Sequence, residues 1–170
     1  MEAVISNSVT NKTKIIIYDI IALTIIYLIP TFSHIFNFPV YYIDPMRLML
    51  FLVIIHTNKK NSYIIAGTLP LVSFIFSSHP VFIKSLSMSA ELLLNVWLYY
   101  ELSKIFNNKF IPAALSIIVS KLVYYAVKFV LISSALLSTS LISTPLQFQL
   151  LVVAIISMYA FFMIPRANKL

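Results

Sequence analysis

Apolar runs and short polar breaks alternate six times along the chain, after a polar lead over residues 1–14. The runs cover 15–36, 45–56, 63–76, 82–102, 111–137 and 146–164, and each reads as a membrane helix. A full crossing takes about 20 residues at 1.5 Å each. The second and third runs therefore predict spans that tilt, recruit flanking polar residues or sit shielded inside the bundle. Pro30, Pro70 and Pro112 fall within or at the edge of spans, where a kink is tolerated once neighbours cover the freed carbonyls. The pattern predicts an all-α membrane protein: a six-transmembrane-helix bundle forming one integral membrane domain over residues 1–170.

The loop charges orient that bundle. Lys12 and Lys14 precede the first span, Lys59 and Lys60 join the second and third, Lys104 and Lys109 join the fourth and fifth, and Arg166 and Lys169 end the chain. With six crossings all of them fall on one side, and the positive-inside rule makes that side cytoplasmic. The opposite connections, 37–44, 77–83 and 138–145, carry no Lys or Arg. Both termini are expected in the cytoplasm, and the protein in the cytoplasmic (inner) membrane.

Composition agrees and removes alternatives. Of 170 residues, 61% are hydrophobic and 10% charged, against about 45–50% and 25% in soluble domains. The net charge of +7 is scattered over short loops, so nucleic-acid binding is not expected. Cysteine is absent, which excludes disulfides and zinc–thiolate sites. With the single glycine Gly67, neither a Gly-rich phosphate loop nor a GxxxG pairing can form. No HExxH, GxSxG or Walker spacing appears, and no serine has a histidine and carboxylate context. His56 is expected on the cytoplasmic side and His34 and His79 outside, so the three do not share a metal. No enzyme activity, cofactor or metal is expected.

Four cations remain inside the spans: Arg47, Lys84, Lys121 and Lys128. Ionisable groups at such depth are expensive and normally face a cavity or a partner. Lys84, Met88, Glu91 and Asn95 recur at four, three and four residues, which makes one helical stripe. Lys121, Tyr124, Tyr125 and Lys128 form another on the fifth span. The two stripes are expected to enclose a pocket open to the extracellular face. Plainer readings stay open beside that one. Arg47 can form a helix-start pair with Asp44, Lys84 and Lys128 can snorkel to headgroups, and His79 can be a turn residue before Pro80. Tyr124 and Tyr125 can be packing residues, and Glu91 with Lys121 can be a structural ion pair. Asp19 is expected to accept hydrogen bonds from Lys12 or Lys14, and Glu101 to pair with Lys104. Arg47, Lys84, Lys121 and Lys128 outnumber Asp44 and Glu91 by two. A pocket formed by all of them is cationic and suits a carboxylate- or phosphate-bearing solute.

Two segments, DPMRLMLFLVI at 44–54 and SSHPVFIKSLSMSAELLLNVWLYY at 77–100, are similar to segments of the substrate-binding S components of energy-coupling factor (ECF) vitamin transporters. The architecture resembles those components over nearly the whole chain, the motifs over about a fifth of it. The resemblance implies a binder without catalytic activity that captures a small-molecule micronutrient outside. It also implies docking on a transmembrane coupling protein driven by two cytoplasmic ATPase subunits. By position, Lys84, Glu91, Asn95, Lys121, Tyr125 and Lys128 become candidate substrate contacts, and Arg47 and His79 join them as candidates from the reading of the charges alone. The loop HIFNFPVYYIDP at 34–45 becomes a gate, with Tyr41 and Tyr42 able to stack on a flat solute. The first span departs from the family's AxxxA-type docking stripe, offering Ala22 and Thr24 but no second alanine at that spacing. Two alternatives remain: a non-transporting scaffold of envelope or cell-shape assembly, and a small ion-coupled carrier.

Overall fold

The computed structural model describes residues 2–35, 37, 39–77 and 81–164. In chain order they form α1 (Glu2–Ile35), a 3-10 turn (Val40–Ile43), α2 (Pro45–His56), α3 (Lys59–Ser77), α4 (Phe82–Ile105), α5 (Phe110–Ser133) and α6 (Leu146–Met163). No strand occurs among the described residues. Among the described residues, three helices are long and apolar enough to cross a membrane: residues 12–33 of α1, α5 and α6. Their outward faces carry large apolar side chains such as Leu122, Phe129, Leu150 and Phe162, the surface a membrane-embedded bundle presents to lipid. The apolar α2 has only 12 residues, about 18 Å of helix.

The bounds of α2 coincide with the apolar run read from sequence, because Pro45 occupies the first helical position and Asp44 precedes it in a left-handed conformation. The polar lead differs from expectation: α1 begins at Glu2, so residues 2–14 extend the helix and contain neither Gly nor Pro to interrupt it. Helix α5 stops at Ser133, short of 137. Ala135 takes a left-handed φ of 56°, Leu136 N–H bonds Leu131 O, and Ala135 N–H bonds Ile132 O. That double closure ends a helix, usually with Gly at the left-handed position.

Helix α2 is the pivot of the packing and touches α1, α3, α4 and α6. One face sends Leu50, Phe51 and Ile54 toward Leu92 and Val96 of α4 and Ile156 of α6. The other sends Val53 into a cluster with Ala22, Ile26, Ile65 and Leu69. A helix apolar on all sides is one that is covered on all sides. Helices α3 and α4 are joined by polar contacts where Pro70 withholds its N–H from the α3 ladder. Ser85 Oγ donates to Pro70 O at 2.7 Å and Ser89 Oγ to Gly67 O at 3.1 Å. Pro112 lies in the first turn of α5, where a missing N–H breaks no intrahelical bond.

Candidate functional site

Helices α4 and α5 pack side by side and run in opposite directions. Lys84 and Glu91 are seven residues apart on α4, and Lys121 and Lys128 are seven apart on α5. Seven residues are about two turns, or 10 Å of rise. The stripes thus superimpose as two levels, Glu91 with Lys121 below and Lys84 with Lys128 above.

The lower level is a closed charge network. Arg47, in the first turn of α2 and 1% exposed, donates through Nη1 to Asp44 Oδ2 at 2.9 Å and through Nη2 to Glu91 Oε1. Lys121 Nζ donates to the same Asp44 oxygen at 3.2 Å. Of the readings left open, a direct Glu91–Lys121 pair is not the one formed: Glu91 answers to Arg47, and Lys121 to Asp44. The cause is the depth at which α2 begins. Its N-terminus starts at the level of Lys121, twelve residues before the end of α5, or about 18 Å below it. The local Asp44–Arg47 helix-start pair is present as well.

Polar contacts continue above and below. Asn95 Nδ2 donates to Ser120 Oγ at 3.1 Å, one turn deeper than Glu91. Tyr125 OH donates to Gln149 Oε1 at 2.9 Å, and Gln149 Nε2 donates to Thr144 O at 2.7 Å. Two buried atoms of the column, Arg47 Nε and Asn95 Oδ1, have no hydrogen-bond partner among the described residues. Against the network sits the 3-10 turn. Tyr41 and Tyr42 meet edge to face at 4.8 Å, and Tyr42 leans on Phe148 of α6 at 5.5 Å.

The upper level is built differently. Lys128 is buried and does not reach for headgroups. Its Nζ donates to Ser140 O at 2.7 Å, Leu141 O at 2.9 Å and Ser143 Oγ at 3.1 Å, clamping the 134–145 connection. Lys84 is half-buried, within electrostatic reach of Lys128. It makes no hydrogen bond or ion pair among the described residues. His79 lies outside the described residues. Asp44 and Glu91 cancel Arg47 and Lys121, so the excess of two positive charges read from the sequence resides in Lys84 and Lys128.

Two grooves are lined by none of these side chains. One, of 310 Å³, runs between Tyr27 and Pro30 of α1 and Ser73 and Phe76 of α3. The other, of 340 Å³, lies between Val81–Ile83 and Leu136–Thr139, beside the first turn of α4 that carries Lys84. No group of three metal-ligating side chains occurs among the described residues.

The opposite end of the bundle holds a second polar cluster that the sequence reading missed. His56 Nε2 and Tyr159 OH lie 2.6 Å apart, and Tyr18 stacks on the His56 ring at 4.8 Å. Asp19 accepts from Asn61 Nδ2 at 2.7 Å, which corrects the expected partners Lys12 and Lys14. Glu101 and Lys104 do form their surface pair, at 2.7 Å. Gln149 was detectable as a carboxamide one turn into an apolar run. Ser120 was not, because serines are plentiful in every span. No protein-family profile, curated protein or solved structure matches the chain.

Proposed function

We propose that the chain is the substrate-capturing membrane subunit of an ECF-type uptake transporter for a small anionic vitamin or precursor. In this reading it crosses the cytoplasmic membrane six times with both termini inside. The observation that carries it is the upper level of the polar column. Lys84 has no counter-ion among the described residues, lies within electrostatic reach of the buried Lys128, and stands at the end of a bundle whose deeper charges already balance. An anionic group on a solute supplies what that level lacks. Tyr41 and Tyr42 form the stacking surface of the gate, and Arg47, Glu91, Asn95, Lys121 and Tyr125 form its floor. The chain carries no ATPase motif, so release inside falls to a coupling protein and two cytoplasmic ATPases. Ala22 is fully buried against Ile26, Val53 and Leu69, so docking uses a surface other than that alanine.

The experiment is gentle purification followed by mass spectrometry of extracted small molecules, with co-purifying proteins identified in parallel. One retained anionic solute, bound without ATP, and companion ATPases are expected. A second reading, an envelope or cell-shape scaffold, draws on the mutual satisfaction of Asp44, Arg47, Glu91 and Lys121, which a purely structural cluster also shows. Companions from envelope synthesis and no retained solute would decide for it.

A further inference from the structure

Asp44 differs from its three partners in the lower level. Arg47, Glu91 and Lys121 are carried by helices, whereas Asp44 lies between the 3-10 turn and α2 with a left-handed backbone, φ 51° and ψ 58°. Aspartate tolerates that region better than most residues but is not relaxed there. Its side chain is 24% exposed, against 2% for Arg47 and 7% for Glu91. An aspartate before a helix ordinarily turns its carboxylate onto the first N–H groups. Here it makes no capping bond and reaches across to Lys121. Its carboxylate behaves as a ligand held between two cations.

We propose that Arg47 and Lys121 form an anion site, which Asp44 fills in the solute-free protein and vacates when a solute's carboxylate or phosphate takes its place. The identity of the physiological anion rests on the solute-capture reading; the anion site does not.

Charge balance argues for exchange rather than addition. The network holds two cations and two anions. A further buried anion would leave it net negative and poorly compensated, while a swap of Asp44 for a singly charged anion keeps it neutral. Glu91 is not the group that leaves, because it sits mid-helix and more deeply buried. Asp44 follows Ile43 directly, so its departure moves the turn that carries Tyr41 and Tyr42. Anion binding and displacement of the turn then become one event.

The test is chemical rescue with acetate. Asp44→Ala empties the position between Arg47 and Lys121, and its melting temperature is compared in sodium acetate and sodium chloride at equal ionic strength. Acetate is expected to raise it by several degrees over chloride, to leave the wild type unchanged, and to fail in Asp44→Ala/Lys121→Met. If Asp44→Ala cannot be purified in chloride, the yield of folded protein in the two salts is the readout. Equal melting temperature or equal yield in both salts overturns the proposal. Spin labels at Tyr41→Cys and Leu136→Cys, in this cysteine-free chain, report the turn. Asp44→Ala should broaden their distance distribution and acetate should not restore it, since acetate fills the site without tethering the turn. An unchanged distribution also overturns the proposal. Neither readout uses the physiological solute. Rescue without any retained solute would keep the anion site and remove the capture reading, and retention without rescue would do the reverse.

Discussion

The same two helices hold charges at two levels and treat them in opposite ways. Below, Glu91 and Lys121 belong to a network in which every charge faces its opposite, through Arg47 and Asp44. Above, Lys84 and Lys128 are like charges, one clamped by carbonyls and the other without a partner among the described residues. Burial of a balanced network is close to neutral for stability, and such a network can serve the fold alone. In the upper pair Lys128 serves the fold through its clamp, whereas Lys84 makes no hydrogen bond or ion pair among the described residues. The difference separates a level that is complete while Asp44 holds its place from one that nothing among the described residues completes.

The comparison breaks most violently at Arg47. Arg47→Met strands two carboxylates, and the expected loss is about 3–5 kcal/mol in equilibrium unfolding from mild detergent. Lys128→Met should cost less, about 1–3 kcal/mol, because two carbonyls and a hydroxyl lose their donor. That loss should appear locally, as faster amide exchange over residues 138–144. Within the lower level, a double-mutant cycle of Asp44→Asn and Lys121→Met should give a coupling of about 0.5–3 kcal/mol. A coupling near zero would detach Lys121 from the network. Outside both levels, Ala135→Gly should stabilise the end of α5 by about 0.4–1 kcal/mol, since glycine takes a left-handed φ without penalty. Unfolding midpoints of the two proteins side by side check it.

How much of this was legible in the sequence depended on range. The stripe of Lys84, Glu91 and Asn95 is a property of one helix, and α4 carries it with Glu91 and Asn95 buried. The i,i+3 pairs Asp44–Arg47 and Glu101–Lys104 follow from spacing alone. The partners across helices did not follow from it. Which carboxylate meets Lys121 depends on how deep α2 begins, and that depth is set by the course of the connection before Asp44 rather than by any local pattern. The clamp on Lys128 depends on where the 134–145 connection folds back, which Ala135 decides by ending α5 early. The cluster of His56, Tyr159, Asp19 and Asn61 joins four helices, and no periodicity within one of them announces it.

Substitutions in the lower level disturb the fold and the site together, so loss of binding in Glu91→Ala or Lys121→Ala carries two meanings. Lys84 is free of that difficulty. With no partner among the described residues to strand, Lys84→Gln should change stability by less than about 0.5 kcal/mol. Lys84→Glu should give the upper level a counter-ion for Lys128, making it resemble the lower one and closing it to anions.

The most direct measurement is native mass spectrometry of the gently purified wild type beside Lys84→Gln, both shown to be folded by their melting curves. Solute capture predicts one small anionic molecule per wild-type chain and a sharp drop in occupancy in the variant. A wild type with no adduct, or the same occupancy in both proteins, would contradict it.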